Sequence, residues 1–378
     1  MNGDILLRPY AETDWESMRL FIFSQWGPHH PMADRSLFDW QFRGFGHARE
    51  ALGSILLFVD GRLAGFRGLI PGLYQVPFRD GMRILPGASL AMWMIDPEFR
   101  GRGLGRIMHG EAERLCPVLT GAGSNPRTSV PIYLQSGFEV LDAMHRHVAV
   151  LEAEKCRARF GERSAKIRPV FLGRTRVLHP SAPEPELLAE IWRGSAFEAG
   201  FFSLFRDGQF WRWRILESPG FRYGVFVDPE GSGFLTARVE PLVDPLSKAG
   251  DSGSVLRVID LVPASPATWN GAPDVPFGRF LAGCLAWARE TGCIAADHHC
   301  SSGVFGPLLE ASGFVAETLP GEKDPLLPRF FNGEGPGRPI NALARAPVPV
   351  SFERTCMVKS DNDMDRPRRL DENGKVVY

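Results

Sequence analysis

Short apolar runs bounded by turn residues alternate with segments of helical period along the first 150 residues. Residues 4–9 (DILLRP) predict a short strand. A helix is predicted next, because Thr13 and Glu16 have the spacing of a capping box. Its apolar positions are Trp15, Met18, Phe21, Ile22 and Trp26. The chain is therefore expected to open with a strand followed by a helix.

A hairpin and a buried strand follow this helix. The segment SILLFVDGRLAGFRGLI has two apolar runs around Asp60-Gly61, which is a strong hairpin signal, and SLAMWMI at 89–95 predicts a buried strand. A second helix is predicted after residue 103, with an apolar face made of Leu104, Ile107, Met108, Ala112 and Leu115. Short strands return by about residue 152. This order indicates an α/β fold.

The second half of the chain repeats the pattern of the first. Three pairs of segments match in the same order, at offsets of 168 to 176 residues: LFDWQF (37–42) with FWRWRI (210–215), FVDGRLAGF (58–66) with FVDPEGSGF (226–234), and VPIYLQSGF (130–138) with GPLLEASGF (306–314). A tandem duplication explains three ordered matches better than coincidence does. Two copies of one α/β unit are therefore expected.

The boundary between the copies is predicted near residues 150–180. The polar segment EKCRARFGERSAKIRP and the proline-rich HPSAPEPE are typical of a linker, and a helix is predicted at about 184–194. We therefore divide the chain into residues 1–152, a linker at 153–183, and residues 184–378. Near the end, LPGEKDPLLPRFFNGEGPGRP predicts a long loop and SFERTCMVKSD a late strand.

Composition narrows the classes of partner. The chain has 378 residues, 44% of them hydrophobic, and a formal net charge of -1, so nothing global favours nucleic acid or a membrane surface. The opening residues lack the pattern of a secretory signal, and no apolar run is long enough to span a bilayer. The six cysteines include no C-x-x-C pair. These features predict a cytoplasmic protein with reduced thiols.

Alternating glycines stand between the apolar strand and the second helix, in the segment DPEFRGRGLGR (96–106). Glycine lets a ligand approach backbone N–H groups closely, and a helix N-terminus favours an anion, so this turn predicts a phosphate site. The dinucleotide pattern G-x-G-x-x-G fails because Arg106 occupies the last glycine position, and no G-x-x-x-x-G-K-[ST] is present. The two commonest phosphate loops are therefore excluded.

The remaining pattern, Arg100-x-x-Gly103-x-Gly105, resembles the pyrophosphate loop of the GNAT acyltransferase superfamily. LLRPYAETDW resembles the first strand and helix of that family, and NPRTSVPIYLQSGF resembles its late motif. The resemblance covers residues 4 to about 150. It implies two tandem GNAT-like domains, each with a mixed, mostly antiparallel central sheet flanked by helices. The second copy has VPASPATWNGAPDVPFGRF in place of the glycine loop, so we interpret it as degenerate.

The resemblance also implies the site and the cosubstrate. Acetyl-CoA is expected as the cosubstrate, with Tyr133 in the position of the tyrosine that protonates the departing thiolate. The residues expected to bind CoA are Ile95, Arg100, Gly101, Arg102, Gly103, Leu104, Gly105, Arg106 and Asn125. Asp96, Glu98 and His109 lie near the loop, but the sequence does not identify the base. His109 is equally consistent with a surface position on its helix.

Three other segments suggest sites but favour structural roles. In CIAADHHCSS (293–302), His298 and His299 point to opposite faces of a strand, so the cluster cannot close one tetrahedral zinc site without other ligands. In DNDMDRPRRLDE (361–372), Arg366 occupies the position where a calcium loop needs glycine. The aromatic residues of FWRWR are more typical of a core than of a sugar site. No metal is expected.

Together these features predict an acyl-CoA-dependent N-acyltransferase acting on a small amine, with an amino sugar or a sugar nucleotide as one acceptor class. The resemblance of FDWQF and DNDMDRP to tandem GNAT proteins of bacterial polysaccharide chemistry suggests that class. A CoA-binding sensor or scaffold without catalysis, and an enzyme that acetylates protein amines, remain alternatives. No nucleic acid, no membrane insertion and no particular oligomeric state are expected.

Overall fold

Two β-sheets form the framework of the chain in a computed structural model that describes residues 4–44, 53–173, 175–242, 253–328 and 339–361. The strands are β1 Ile5–Pro9, β2 Ile55–Val59, β3 Arg62–Phe78, β4 Gly81–Ile95, β5 Val118–Ala122, β6 Glu139–Leu141, β7 His145–Val150, β8 Phe202–Leu204, β9 Gly224–Val227, β10 Gly233–Pro241, β11 Ser254–Pro263, β12 Cys293–Cys300, β13 Val315–Ala316, β14 Ala342–Arg345 and β15 Thr355–Cys356.

Helices cover both faces of this framework. The α-helices are α1 Trp15–Trp26, α2 Arg35–Arg43, α3 Leu104–Leu115, α4 Val130–Gln135, α5 Ala153–Phe160, α6 Pro185–Trp192, α7 Gly208–Trp211, α8 Pro266–Trp269, α9 Val275–Glu290 and α10 Gly306–Ala311. Short 3-10 turns lie at Glu12–Asp14, Pro31–Ala33, Pro97–Phe99, Ser164–Lys166, Phe352–Arg354 and Lys359–Asp361, and π-helical turns at Arg193–Phe197 and Arg212–Leu216. None of the described helices is long and apolar enough to cross a membrane.

Among the described residues, the first sheet has nine strands, in the order β1-β2-β3-β4-β5-β14-β6, with β8 paired to β3 and β15 paired to β8. Strands β4 and β5 are parallel and pair only from Gly87–Val118 to Leu90–Gly121. The last five residues of β4 therefore continue without β5 alongside them. This separation opens a space at the carboxyl end of β4.

The second sheet has six strands in the part of the chain that the structure describes, in the order β13-β7-β12-β11-β10-β9. Strand β7 comes from residues 145–150 but lies between β12 and β13, whereas β14 comes from residues 342–345 but lies between β5 and β6. The second sheet thus contains one strand from the first half of the chain, β7, and the first sheet contains three strands from the second half, β8, β14 and β15. The two sheets do not separate at a single point along the sequence.

The apolar positions of the first half divide between the two faces of its sheet. Helices α1 and α2 pack on one face against Phe66, Ile70 and Met94. Helix α3 packs on the other face through Leu104, Met108 and Ala112. Alternate residues of a strand point to opposite faces, which explains why β3 serves both layers. The predicted helical face of α3 is confirmed except at Ile107, which is 43% exposed.

Several local predictions hold and two do not. The strand at 4–9, the hairpin at Asp60-Gly61 and the helix after residue 103 are all present. The Thr13–Glu16 capping box is wrong: Thr13 lies inside a 3-10 turn, and the Asp14 carboxylate accepts the Ala11 N–H at 2.8 Å instead. The segment SFERTCMVKSD has only a two-residue strand, β15, which joins the first sheet.

One contact joins matching positions of the two halves. The Trp40 indole N–H donates to the Trp213 carbonyl at 2.9 Å, and the Trp213 indole N–H donates to the Trp40 carbonyl at 2.8 Å. The two rings lie 5.6 Å apart.

Residues 153–183, which we predicted as a linker, include α5. Cys156 of this helix is buried, and its thiol donates to the Ile294 carbonyl at 3.0 Å.

Candidate functional site

The glycine turn forms the connection between β4 and α3. Gly101 and Gly103 have φ of 78° and 76°, the left-handed region that favours glycine, and a Cβ added to either residue would meet no atom within 4 Å. Gly103 is the N-cap of α3 and provides no side-chain cap. Arg106 and Ile107 donate their N–H groups to the Gly103 carbonyl at 3.0 and 3.3 Å. The N–H groups of the residues before Arg106 therefore lie at the start of α3. The first backbone N–H groups of a helix have no acceptor within the helix.

Side chains hold this turn in place. The Asp96 carboxylate accepts the Glu98 N–H at 3.0 Å and so caps the 3-10 turn at Pro97–Phe99. Arg100 donates to the Ile95 carbonyl at 2.9 Å and to the Gln25 side chain of α1 at 3.1 Å. Arg102 donates to the Glu98 carbonyl at 3.2 Å. Arg100 thus connects the turn to the end of α1, where the chain leaves the first helix.

A cavity of about 640 Å³ lies at the turn. Of the ten predicted site residues, seven line it: Ile95, Arg100, Gly101, Gly103, Leu104, Gly105 and Arg106. Among the described residues, the charged side chains of its wall are arginines only, so the wall favours an anion. Residues that the sequence did not single out complete the wall: Gln25, Trp26, Trp93, Met94, Phe99, Thr128, Ser129 and Ile132.

Asn125 and Arg102 lie outside this wall. Asn125 lines a smaller neighbouring hollow with Arg127 and Thr128, and Thr128 borders both spaces. The Asn125 side chain accepts the Arg127 N–H at 2.9 Å, while its carbonyl accepts the Ser129 and Val130 amides. The hydrogen bonds of Asn125 thereby shape the loop that leads into α4. Arg102 bonds to the Glu98 carbonyl within its own turn.

A β-bulge aligns the residues behind the cavity. Arg67 pairs with Trp93, but Gly68 pairs with Ala91, so Met92 is the extra residue, with φ of 37°. Directly paired residues share a face of a sheet, which places the side chains of Arg67 and Trp93 together. The Arg67 guanidinium lies 4.5 Å from the centre of the Trp93 ring.

Tyr133 is buried behind the cavity wall. Its phenol oxygen accepts a hydrogen bond from Arg67 at 2.6 Å, and its ring lies 5.7 Å from Trp93 and 5.1 Å from both His109 and Phe138. Tyr133 is 2% exposed and is not among the described residues that line the cavity, although Trp93 and Ile132 beside it are. Arg67 was not predicted. Its signal in the sequence is a lone charge inside the apolar strand LAGFRGLI.

His109 is a buried residue, and the interpretation as a surface position is wrong. It is 2% exposed, and neither ring nitrogen has a hydrogen-bond partner among the described residues. The Glu113 carboxylate is 3.6 Å from Nε2. Burial lowers the pKa of His109 to about 4, and the charges of Arg67 and Arg345 act in the same direction. His109 is therefore neutral near pH 7.

The two acidic candidates are held in ion pairs; the Asp96 side chain is 14% exposed and that of Glu98 is 67% exposed. Asp96 caps its turn, and Arg62 forms ion pairs with both Asp96 at 3.1 Å and Glu98 at 2.5 Å. Neither carboxylate lines the cavity among the described residues. The structure therefore brings the predicted loop residues together and leaves these acids on its outer side.

The corresponding connection in the second half runs from β11 to α9 and ends differently. Asp274 is the N-cap of α9, and its carboxylate accepts the Phe277 N–H at 3.0 Å and the Thr268 hydroxyl at 2.7 Å. A second cavity, of about 870 Å³, lies beside this helix start. Because a carboxylate already occupies the helix N-terminus, this site does not favour a phosphate.

The segment CIAADHHCSS contains the buried strand β12. His298 Nδ1 lies 3.1 Å from the Val258 carbonyl, and Asp297 forms an ion pair with Arg146 at 3.1 Å. Within the described ranges, no group of three or more His, Cys, Asp or Glu side chains is placed to hold a metal ion.

The two other segments that suggested sites are FWRWR and the candidate calcium loop. Trp211 of FWRWR is fully buried. The candidate calcium loop lies outside the described residues except for Asp361.

Comparisons with known proteins found one family model that matches part of the first half of the chain. Residues 13–123 match the model of the Acetyltransferase (GNAT) family. A comparison with curated proteins gave no match. The matched segment contains β2 to β4, the glycine turn and α3. It therefore includes most of the cavity wall.

Solved structures share the arrangement over most of the chain. A GCN5-related N-acetyltransferase from Anabaena variabilis is 12% identical, with a TM-score of 0.55 over 90% of this chain and 72% of that one. A protein of unknown function from Enterococcus faecalis, a probable N-acyltransferase, is 13% identical, with a TM-score of 0.53 and the same coverage. Saccharomyces cerevisiae N-myristoyltransferase with bound myristoyl-CoA is 11% identical, with a TM-score of 0.52 over 94% of this chain and 84% of that one. At these identities the likeness concerns the fold, and the predicted α/β fold with mixed sheets flanked by helices is confirmed.

Proposed function

We propose that the protein transfers the acetyl group of acetyl-CoA to the amino group of a small molecule, and the match of residues 13–123 to the Acetyltransferase (GNAT) family model supports this proposal. The observation that carries this proposal is the cavity at the start of α3. Its wall combines the open amides of the glycine turn with Arg100 and Arg106. Amides at a helix start and fixed cations are the groups that hold a pyrophosphate.

The site residues divide into two roles. Gly101, Gly103, Leu104 and Gly105 offer backbone N–H groups to the pyrophosphate, and Ile95 ends the strand beside which the pantetheine arm would lie. Arg106 adds charge from the first turn of α3. Arg102 and Asn125 act on the turns that form the wall, because their side chains bond to those turns. Arg100 does both: it bonds to the Ile95 carbonyl and adds charge to the cavity wall.

Tyr133 is our candidate for the acid that protonates the departing thiolate. Its phenol lies next to Trp93, which lines the cavity, and the order of the motif favours this role. In the transfer, the amine nitrogen attacks the thioester carbonyl and the C–S bond breaks. The thiolate takes the phenol proton, the amine releases a proton to water, and water returns a proton to the phenol.

The second half is proposed to be a degenerate copy that borders the acceptor site. Each matched pair of segments has the same type of element in both halves: α2 and α7, the β2–β3 and β9–β10 hairpins, and α4 and α10. The reciprocal Trp40–Trp213 contact and the exchange of β7 and β14 support a common origin. Asp274 occupies the position where the first half has an open glycine turn.

Titration calorimetry with acetyl-CoA tests the binding step. We expect the wild-type protein to bind, and a Gly103→Glu, Gly105→Glu double variant to lose at least about 100-fold in affinity, since two carboxylates would face the phosphates. Gly271→Glu is the matched control, because Gly271 also has positive φ and open space but belongs to the second half. Failure of the wild type to bind, or equal loss in the control, would refute the proposal.

The acceptor is tested by thiol release and product mass spectrometry with four amines: glucosamine, an aminoglycoside, spermidine and a lysine peptide. Acetylated glucosamine would support the amino-sugar class, and an acetylated peptide would support a protein acetyltransferase. The position of Tyr133 outside the cavity wall favours one alternative, a CoA-binding sensor or scaffold. Binding of acetyl-CoA without turnover on any amine would support that alternative.

A further inference from the structure

Arg67 is a buried cation that has no counter-ion among the described residues. It is 2% exposed, and its neighbours are the Tyr133 hydroxyl and the faces of two aromatic rings, with the guanidinium 4.5 Å from Trp93 and 5.8 Å from Tyr133. Its Nε has no acceptor in the described part of the chain. Burying a charge without a paired anion is costly, so a charge kept there indicates a function.

The direction of the Arg67–Tyr133 hydrogen bond is fixed by chemistry. A guanidinium has donors only, so the phenol oxygen must be the acceptor in the 2.6 Å contact. The phenol proton is then not used in this bond. It remains available for a second partner on another side of the oxygen, which is the condition that a proton donor must meet.

The charge of Arg67 also matches the charge that donation creates. When the phenol gives up its proton, the resulting phenolate faces a guanidinium at hydrogen-bond distance in a buried environment. Such charge-assisted pairs are stronger than neutral ones. His109, the other ionisable neighbour of the ring, is neutral at pH 7 and therefore does not supply this charge; burial lowers its pKa to about 4.

We propose that Arg67 is a positioning residue for acyl transfer: it orients the hydroxyl of Tyr133 as a proton donor and stabilises the phenolate formed when the thiolate leaves. This inference rests on the proposed function. Arg67 acts through Tyr133 and not on CoA directly, because it is bonded to the phenol and is not among the described residues that line the cavity.

The test compares Arg67→Met, Arg67→Lys, Tyr133→Phe and the Arg67→Met, Tyr133→Phe double variant, with acetyl-CoA and the best amine of the panel above. We expect Arg67→Met to lower kcat about 10- to 100-fold, while KM for acetyl-CoA and the dissociation constant of CoA stay within about twofold. Arg67→Lys retains a cation, so its kcat should lie between those of the wild type and Arg67→Met. In the Tyr133→Phe background, Arg67→Met should change kcat by less than about threefold.

Each other result has a separate meaning. Equal losses of kcat and CoA affinity in Arg67→Met would overturn the inference in favour of a structural role. Losses that multiply in the double variant would overturn it in favour of an action that does not involve Tyr133. A wild-type protein that binds no acetyl-CoA, or turns over no amine, would overturn the proposed function as well. CoA binding by each variant measures the folded fraction, so misfolding is detected separately.

Discussion

The two strand-to-helix connections of the molecule differ in whether a side chain caps the backbone N–H groups at the start of the helix. After β4, Gly103 starts α3 with a left-handed backbone and no side-chain cap. After β11, Asp274 starts α9 and its carboxylate accepts the Phe277 amide. A helix N-terminus needs acceptors for its amides and favours a negative charge. The first half has no side-chain acceptor at that position, whereas the second half fills it with a carboxylate of its own.

A second difference lies under the two helices that carry the late motif. Tyr133 of α4 and Leu309 of α10 are matched in sequence, and both are buried. Only Tyr133 has a polar partner, Arg67. The first half thus concentrates both an open helix start and a buried polar pair in one place, and the second half has an apolar residue at the matched position.

The largest effect that separates the halves is expected from the residue pair Tyr133 and Leu309. Tyr133→Phe removes only the hydroxyl, so we expect kcat to fall about 100-fold if the phenol is the general acid, with little change in CoA affinity. Steady-state thiol release with acetyl-CoA measures this change. Leu309→Met is the control and should leave kcat unchanged, since it preserves volume in the second core. Equal kcat in Tyr133→Phe and wild type would remove Tyr133 from catalysis.

A smaller effect concerns pH, because a neutral histidine is buried at each of the two sheets: His109 on α3, which packs on the first sheet, and His147 in β7 of the second sheet. Burial lowers the pKa of His109 and of His147 to about 4; Arg67 and Arg345 add to this for His109, and His298 and His145 add to it for His147. An unfolded histidine binds its proton near pH ~6.5. The folded state is therefore disfavoured as the pH falls from about 6.5 towards 4, and neither histidine contributes to a change of stability above that range.

Urea unfolding of the wild type, His109→Phe and His147→Phe at pH 7.5, 6 and 5 tests this expectation. Each substitution should make the decline in unfolding free energy shallower, by at most about 1.4 kcal/mol per pH unit for one histidine. Similar changes in the two variants would show that this property is common to both sheets. If the unfolding free energy of a variant fell with pH as steeply as that of the wild type, the substituted histidine would not be buried in its neutral form.

Local patterns predicted the turn, and long-range contacts explain what was not predicted. Gly101, Gly103 and Gly105 could be read from the sequence because the backbone of a tight turn depends on neighbouring residues alone. The role of Arg67 could not, since it depends on a bulge at Met92 and on Tyr133, which is 66 positions away in the sequence. The sequence also did not predict that β7 lies in the second sheet and β14 in the first. Strand pairing between distant segments leaves no periodic signal in either segment.

His109 and Thr13 illustrate two further limits. A histidine on a helix gives the same local pattern whether it faces solvent or an aromatic cluster, and only the position of Tyr133 and Phe138 decides the matter. Thr13 has the right spacing for a capping box, but Asp14 bonds to Ala11 and Arg8 and begins the helix one residue later. Competing side chains of similar chemistry decide such boundaries.

The smallest predicted effect tests the filled helix start directly. Asp274→Ala removes the acceptor of the Phe277 N–H and leaves the Thr268 hydroxyl without its 2.7 Å partner, so we expect a loss of about 1 kcal/mol of unfolding free energy. Asp274→Asn keeps a capping oxygen and should retain most of that stability. Urea unfolding measures both, and titration with acetyl-CoA should give the wild-type affinity in each. A drop in CoA affinity for Asp274→Ala would mean that the second helix start contributes to the site, which would break the comparison between an open and a filled N-terminus.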